Sequence, residues 1–316
     1  MRVDKHTLSN IDAVQCISLS IDLSADFDNH RLSGFVEYSS KLLTDTNEFI
    51  LDTKALTIEK VTIDGNDCTF SLSKDVEVFG SSLHIMLPSF KCTKGSEFVT
   101  RICYSTTTES TAIQWLAKEQ TADGNYPYLF TQCQAIHARS LLPCQDCPLA
   151  KTVYNATMTV PLWATCLMSA VEMKESEIEA GMKKFFWEQK VAVPSYLIAI
   201  VIGNIESREI GPRSRVWSEP SCVDSCAYEF AQTEDFLKNA EDIMDQEYVW
   251  QRYDIVTLPP SFPYGGMENP CLTFATPTLI AGDRSLADVI AHEIAHSWTG
   301  NLITNHTWEH FWLNEG

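Results

Sequence analysis

Two histidines near the end of the sequence have the spacing of a metal-binding pair. In SLADVIAHEIAHSWTG (285–300), His292 and His296 are four residues apart, so on an α-helix they lie one turn apart on the same face. Imidazoles presented in this way are typical zinc ligands, and Glu293 between them can act as a general base toward water. The HEIAH sequence therefore predicts a catalytic metal site.

A second sequence, HTWEH (306–310), matches the inverted zinc motif HxxEH. Asn305 or Thr307 is a suitable helix N-cap, so this motif crosses the start of a helix instead of lying within one. In helical register His310 lies five residues before Glu315, a rotation of about 140°, and points elsewhere. We interpret HTWEH as a coincidence of composition.

The third ligand decides the class of zinc site. A metzincin would need a glycine and a histidine where this sequence has Thr299 and Leu302, which excludes that class. His306 and His310 are possible third ligands by residue type, but the residues that surround Glu315 favour Glu315.

Glu315 shares one predicted helix face with three aromatic residues, Trp308, Phe311 and Trp312. A carboxylate on a buried aromatic face is costly unless it is bound to a metal or paired, and a buried ion pair with Arg or Lys is the alternative. Two histidines and one glutamate leave the fourth zinc position open to water, as in catalytic sites.

The turn PYGGMENP lies about two dozen residues before the HEIAH helix. Paired glycines, Gly265 and Gly266, allow another backbone to come close, and flanking strands provide an edge for an extended peptide. Glu268 can pair with a positive charge. Alone, the segment is an ordinary turn; beside a zinc site, it predicts capture of a free α-amine and hence an exopeptidase.

The surrounding pattern predicts an α+β fold. Short stretches of alternating apolar and polar residues from 10 to about 205 indicate antiparallel strands. The most apolar stretch, 191–203, is too short to cross a bilayer and is predicted to be a buried strand. The pattern changes near residue 210, so we place a boundary near 207 between a β domain and the start of an α/β domain.

Two helices are predicted after this boundary. The first has one apolar face, made of Phe236, Leu237, Ala240, Ile243 and Met244. The second carries HEIAH and starts at Ser285, which together with Asp288 resembles a capping box. Its apolar stripe comprises Leu286, Val289, Ile290, Ile294 and Trp298, and Gly300 is its stop signal.

Charge and cysteine usage limit the partners and the compartment. The 316 residues include 23 basic and 42 acidic side chains, a formal net charge of −19, which argues against nucleic acids and anionic membranes. Eleven cysteines form no disulfide framework, and the CxxC of Cys144 and Cys147 has no second pair for structural zinc. With no apolar leader in the first residues, we expect reduced thiols and a cytoplasmic protein.

HEIAH, eighteen further residues and then Glu315 within WLNEG, with GGMEN upstream, resemble the zinc aminopeptidases of the gluzincin group. Two stretches, 128–146 and 259–274, are more similar to the branch whose members also hydrolyse a lipid epoxide than to aminopeptidase B. The resemblance implies one zinc ion held by His292, His296 and Glu315, with Glu293 as general base.

The resemblance also implies a substrate site. It assigns substrate binding to two segments, with the residues Gln132, Cys133, Gln134, Tyr264, Gly265, Gly266, Met267 and Glu268. Glu268 and Gln134 would hold the substrate's amino group, and the two glycines would present backbone groups to the peptide. Gln132 and Gln134 share a face of an extended segment, which fits this role. The implied substrates are peptides with a free N-terminus and, in this branch, a lipid epoxide.

The family has a saddle-like, mostly antiparallel β domain followed by a thermolysin-like catalytic domain. The resemblance therefore implies a β domain at 1–207 and the start of a catalytic domain at 208–316, with the rest of that domain lying beyond Gly316. Two alternatives remain open at this point: an aminopeptidase B-like enzyme, and a non-catalytic fragment that only binds zinc.

Overall fold

The computed structural model describes residues 4–178 and 181–316, and within these ranges strands come first and α-helices follow. The strands of the first part are β1 (Val14–Asp26), β2 (Arg31–Leu42), β3 (Glu48–Thr53), β4 (Leu56–Ile63), β5 (Asn66–Asp67), β6 (Phe70–Leu72), β7 (Ser81–Met86), β8 (Glu97–Thr106), β9 (Ile113–Leu116), β10 (Tyr128–Thr131), β11 (Lys151–Pro161), β12 (Thr165–Met168), β13 (Val171–Ile178), β14 (Met182–Pro194) and β15 (Ile200–Gly203). They are joined by short 3-10 helices at Ser89–Lys91, Lys118–Gln120, Ala138–Ser140 and Ser195–Leu197.

The largest sheet has eight strands in the order β13-β14-β11-β1-β2-β8-β4-β5. All neighbouring pairs are antiparallel except β1 and β11, which run parallel. Along β1, Leu19, Ile21 and Leu23 are buried while the residues between them are partly exposed. This period of two buries one face of the sheet, as the alternating sequence predicted.

Two smaller sheets complete the first part of the chain. One has the order β12-β15-β10-β9 and the other β3-β7-β6. Residues 191–203 are buried for the most part, as predicted, but they do not form one strand. β14 ends at Pro194, a 3-10 turn follows, and β15 begins at Ile200, because proline has no N–H to continue the ladder.

The last sheet contains β16 (Glu206–Gly211), β17 (Ser214–Ser218), β18 (Asp254–Thr257), β19 (Gly266–Met267) and β20 (Leu272–Ala275). Its order is β16-β17-β18-β20-β19, with β17, β18 and β20 parallel and the two outer strands antiparallel to their neighbours. The boundary proposed near residue 207 falls within β16. β19, which belongs to the GGMEN turn, is therefore an edge strand.

Four α-helices accompany this sheet: α1 (Val223–Glu229), α2 (Thr233–Met244), α3 (Asp288–Ala295) and α4 (Trp312–Glu315), with 3-10 helices at Pro277–Leu279 and Trp308–His310. In the described ranges all α-helices thus lie after residue 222, and the α+β class is confirmed. α2 forms where predicted, but Ile243 is 80% exposed. Its apolar face is therefore narrower than the spacing indicated.

The start of α3 differs from the prediction. The helix begins at Asp288, and Ser285 makes no side-chain cap; its backbone N–H donates to Asp283. The buried carboxylate of Glu229 accepts hydrogen bonds from the N–H groups of Gly282 and Arg284, which holds the preceding loop in a non-helical path. α3 ends at Ala295, earlier than Gly300 suggested.

A buried ionic cluster ties the N-terminal residues to the β region. Arg139 is fully buried, donates to the carboxylate of Asp146 at 2.8 Å and lies 3.7 Å from that of Asp52. A second guanidinium nitrogen of Arg139 donates to the carbonyl oxygen of His6 at 2.6 Å. Asp52 accepts the N–H of Leu8 at 2.6 Å. Such a cluster is stable because each buried charge has partners.

In the part of the chain that the structure describes, no helix is long and apolar enough to cross a bilayer. All eleven cysteines lie in that part, and none is paired in a disulfide.

Candidate metal centre

Helix α3 presents His292 and His296 side by side. Their Nε2 atoms are 3.1 Å apart and the two rings meet edge to face. His296 is buried, whereas His292 is about half exposed. The i, i+4 spacing on one helical turn produces this approach, as the sequence indicated.

Glu315 joins these two histidines from the end of α4. Its Oε2 atom lies 3.6 Å from Nε2 of His292 and 3.5 Å from Nε2 of His296. Around a tetrahedral zinc ion with ligand bonds of about 2.0–2.2 Å, ligand atoms are separated by about 3.3–3.6 Å. Two of the three separations lie in this range and the third, 3.1 Å between the two Nε2 atoms, is slightly shorter, so the three atoms could hold one zinc ion.

Glu315 lies where a third ligand is needed, but it is not buried as the sequence predicted. Its side chain is 44% exposed, and Trp312 on the same short helix is 67% exposed. A 3-10 helix followed by a single α-helical turn does not maintain the 3.6-residue period across residues 308–315. The aromatic residues of this segment consequently do not form one buried stripe.

Two backbone contacts fix the histidine end of the site. Nδ1 of His296 lies 3.1 Å from the carbonyl oxygen of Thr299, so when it donates there Nε2 is left free to bind a metal. The indole N–H of Trp250 donates to the carbonyl oxygen of Ser297 at 3.0 Å. Both contacts restrain the chain directly after α3.

Glu293 is buried, with 5% of its surface exposed, and one of its carboxylate oxygens lies within 4.8 Å of a ring nitrogen of His296. Among the residues that the structure describes, its Oε2 atom has no hydrogen-bond partner. Burial raises the pKa of Glu293 to about 9, and the neighbouring carboxylates of Glu268 and Glu315 add to this effect. A divalent cation bound between these carboxylates would lower the pKa of Glu293.

Gly266 explains how Glu293 is accommodated. A Cβ atom at this position would overlap the Glu293 carboxylate, whereas a Cβ at Gly265 would meet only Val289, at 3.9 Å. The second glycine of the turn is thus required by the approach of a side chain. The sequence had suggested a glycine that accommodates another backbone.

Glu268 is the third carboxylate of the site. It is 5% exposed, its Oε1 accepts a hydrogen bond from Nε2 of Gln134 at 3.2 Å, and burial raises its pKa. Its backbone oxygen accepts from Asn301 at 2.7 Å. A ligand atom from each of Glu268, Glu293 and His296 lies within 4.8 Å of the other two, so this group overlaps the histidine pair.

The segment 132–134 reaches the site through alternate side chains. Gln132 donates to the sulfur of buried Met267 at 3.2 Å, and Gln134 contacts Glu268. Cys133 between them lies in the hydrophobic core with 3% of its surface exposed, and burial raises the pKa of its thiol. The structure therefore brings the two glutamines to the site and leaves the Cys133 side chain in the core.

Tyr264 lies on the open side of the turn, 53% exposed. With Gln134 it lines a pocket of about 370 Å³ whose other walls are His6, Ala135, Ile136, Trp308 and Phe311. The lining of this pocket is largely apolar and aromatic. It includes Gln134, which donates a hydrogen bond to Glu268. It can accommodate an apolar group beside the carboxylates.

The histidines of HTWEH do not join the metal group. Thr307 occupies the N-cap position and the 3-10 helix covers Trp308–His310, so the motif crosses a helix start as predicted. His310 is exposed, and neither His306 nor His310 belongs to a group of possible metal ligands within the described residues.

Several residues that position the site were not identified from the sequence. Asn301 supports Glu268, Trp250 holds the end of α3, and Asn314 donates to the hydroxyl of Tyr196 at 3.4 Å. These are single contacts between distant segments, so no local spacing marks them.

Two family models match the chain. A model described as the peptidase M1 N-terminal domain matches residues 15–197, and one described as the peptidase family M1 domain matches residues 228–316. The second match contains HEIAH and Glu315.

Two related proteins are similar to this chain over almost its whole length. The leukotriene A-4 hydrolase of Xenopus laevis is 50% identical over 301 residues, which cover 94% of this chain and 49% of that protein. Leucine aminopeptidase 2 of Yarrowia lipolytica is 46% identical over 314 residues, 99% of this chain and 47% of that protein. The chain therefore spans about half the length of these relatives.

The fold is also similar to solved structures. The structure of native yeast LTA4 hydrolase matches with a TM-score of 0.92 and 43% identity, over 100% of this chain and 49% of that one. These matches confirm the likeness that HEIAH, GGMEN and Glu315 suggested.

Proposed function

Because this chain belongs to peptidase family M1, we propose that it forms the zinc-binding part of an aminopeptidase of the leukotriene A(4) hydrolase type. The observation that carries the proposal is the triangle of His292, His296 and Glu315, with sides of 3.1, 3.5 and 3.6 Å, beside the buried carboxylate of Glu293.

Zinc, the metal of this family, would be held by the two Nε2 atoms and by Oε2 of Glu315, and when bound it supplies a Lewis acid that acidifies water and polarises a carbonyl group. The chain's own contribution is proton transfer. Oε2 of Glu293, which has no hydrogen-bond partner in the described part of the chain, would be available to accept a proton from water. The same oxygen can then give that proton to the nitrogen of the departing amine.

Charge balance supports an amine-bearing substrate. The site contains three carboxylates, Glu268, Glu293 and Glu315, close to two imidazoles. One divalent cation and one ammonium group neutralise three negative charges, and buried charges are stable only when paired. Glu268, held by Gln134 at 3.2 Å, is the proposed partner of the substrate's free α-ammonium. Such pairing would restrict cleavage to the first residue.

Backbone groups of the turn complete the proposed substrate site. β19 is an edge strand, so one side of Gly266 and Met267 is not paired within the sheet. An extended peptide can add to such an edge. Tyr264 and Gln132 flank it, and the aromatic pocket described above is available to an apolar side chain.

Epoxide hydrolysis is a second candidate activity. It is favoured by the 50% identity to a leukotriene A-4 hydrolase and by the apolar pocket of about 370 Å³ beside Gln134. A lipid tail requires an apolar channel of this kind. Two alternatives are an aminopeptidase B-like specificity and a chain that binds zinc without turnover. The experiment below tests the second; the first would appear as a preference among the aminoacyl-anilides for basic first residues.

We also propose a cytoplasmic location. Its support is that all eleven cysteines are unpaired thiols, which is usual in a reducing compartment.

The proposed function is tested with the 316-residue chain by measuring bound zinc and the hydrolysis of aminoacyl-anilides. We expect one zinc ion per chain. Any hydrolysis should be abolished by Glu293→Gln while the zinc content stays the same. A chain that binds one zinc ion but hydrolyses nothing supports the zinc-binding alternative. A chain that binds no zinc refutes the proposal.

A further inference from the structure

The N-terminal arm, defined here as residues 4–9, contacts the segment that ends in Glu315. Oδ2 of Asp4 accepts a hydrogen bond from the backbone N–H of Trp308 at 3.0 Å. The ammonium of Lys5 pairs with Glu309 at 2.8 Å. The partners in both contacts are 304 residues apart in the sequence.

Asp4 is buried, with 4% of its surface exposed, and both of its oxygens are engaged. Oδ1 accepts the backbone N–H of His6 at 2.8 Å and lies 2.8 Å from the His6 ring nitrogen Nδ1. Trp308 is the first residue of the 3-10 helix, and the first N–H groups of a helix have no partner within it. Asp4 therefore supplies a helix cap from a distant part of the chain.

The arm can restrain this segment because it is itself held by the β region. The Arg139 guanidinium donates to the His6 carbonyl oxygen, and Asp52 accepts the N–H of Leu8. Arg139 and Asp52 belong to the buried ionic cluster of the fold. The contact from Asp4 to Trp308 thus connects the buried ionic cluster to the 3-10 helix Trp308–His310.

Other restraints on the same segment also come from residues before the boundary near 207. The ammonium of Lys151 donates to the carbonyl oxygens of Asn301 and Leu302, each at 3.0 Å. Tyr196 packs its ring against Trp308 with centroids 5.0 Å apart. The arm acts at the start of the two short helices that lead to Glu315.

We propose that Asp4 is a positioning residue for the metal site: by capping the 3-10 helix at Trp308, it sets the position of Glu315 relative to His292 and His296. This inference rests on the zinc site proposed above. Metal ligands must be placed to within about 0.2 Å. The Glu315 side chain is 44% exposed, so its position depends on the backbone that carries it, which begins at the capped 3-10 helix.

The test compares Asp4→Ala with the wild-type chain in two measurements. The first is the zinc dissociation constant, from competition with a chromogenic chelator. The second is hydrogen exchange of the amides in 306–316. We expect Asp4→Ala to weaken zinc binding about 10-fold, the low end of effects seen for residues that orient metal ligands, and to speed exchange in this segment.

Two variants serve as controls. Asp12→Ala removes an exposed carboxylate shortly after the arm, and Lys5→Ala removes only a surface ion pair, which is worth little. Both should bind zinc as the wild type does. A purely structural role of Asp4 would lower the melting temperature without changing zinc affinity or the visible spectrum of bound Co²⁺. That result would overturn the inference.

Asp4→Asn keeps the shape of the side chain but replaces one carboxylate oxygen with an NH₂ group. That group cannot accept a hydrogen bond, so one of the two backbone N–H donors, of His6 or Trp308, loses its acceptor. We expect about 3-fold weaker zinc binding. If Asp4→Ala does not fold, Asp4→Asn is the variant that tests the inference. A zinc affinity and a rate of amide exchange in Asp4→Asn equal to those of the wild type would contradict it. If the wild-type chain itself binds no zinc, the proposed function fails. Exchange in 306–316 then still tests the Asp4 contact by itself.

Discussion

The Glu293 carboxylate occupies the space that a Cβ atom of residue 266 would fill, and Gly266 is the residue that leaves this space open. The edge strand β19 and helix α3 meet at this contact. The proposed base and the proposed peptide-binding strand therefore hold each other in position.

Replacing Gly266 by alanine should displace Glu293. We expect Gly266→Ala to lower the free energy of unfolding by about 1–3 kcal/mol, as overpacking does, and to reduce any hydrolysis about 100-fold, as a misplacement of about 1 Å can. Denaturant unfolding and anilide hydrolysis are the measurements. Gly265→Ala, whose Cβ would meet only Val289 at 3.9 Å, is the control. Equal effects of both variants would argue against the contact.

Zinc should stabilise the chain only when its three proposed ligands are present. A ligand that binds the folded state raises the melting temperature, so zinc should raise it for the wild type and clearly less for His292→Ala, His296→Ala and Glu315→Ala. Loss of one ligand should cost at least the 10–100-fold in affinity seen for residues around a metal site.

His310→Ala is the matched control for this experiment, because His310 belongs to HTWEH but is exposed and outside the metal group. It should respond to zinc as the wild type does. A loss of zinc binding in this variant would restore HTWEH as the metal motif.

Glu268 should distinguish ligands with a free amine from blocked ones. We expect the zinc-loaded chain to bind an amino-acid hydroxamate more tightly than its N-acetylated form. Glu268→Gln should remove most of this difference, because a hydrogen bond to a charged group contributes about 1.5–3 kcal/mol, or about 10- to 100-fold in affinity. Calorimetric titration measures both ligands without requiring turnover. Unchanged discrimination in the variant would refute the exopeptidase assignment.

The zinc-free chain should lose stability as the pH rises, in part because of Glu293. The pKa of this carboxyl is raised from 4.5 to about 9 in the folded chain. Between these values the folded chain keeps a proton that the unfolded chain releases, so raising the pH favours unfolding. From about pH 5.5 to about pH 8.5, the wild type should lose more unfolding free energy than Glu293→Gln in the presence of a chelator. Parallel pH profiles would contradict the raised pKa.

Much of the catalytic helix could be predicted from the sequence because the relevant spacing is local. His292 and His296 are placed together by one helical turn, whatever surrounds them. Glu315, predicted as the third ligand, lies 3.5–3.6 Å from the two ring nitrogens, but it is not buried on an aromatic face as expected. The segment begins with a 3-10 helix, which shifts the aromatic residues out of one helical face, and the Glu315 side chain is 44% exposed.

Contacts between distant segments could not be predicted in the same way. The Ser285 cap fails because Glu229, more than fifty residues earlier, holds the loop before α3. Gly266 was identified as a close-approach glycine, but the partner proved to be a side chain from α3. Asp4 carries no sequence signal, because its role depends on a residue 304 positions away.

The contact between Asp4 and Trp308 also has a consequence for synthesis. At translation rates of about 5–20 residues per second, the ribosome needs roughly 15–60 s to make the residues between them. Once Asp52 and Arg139 have been made, the arm can bind to them. Oδ2 of Asp4 must still wait for the N–H of Trp308. The three proposed metal ligands can therefore meet only after Glu315 has been made, when every strand from β1 to β20 has already been synthesised.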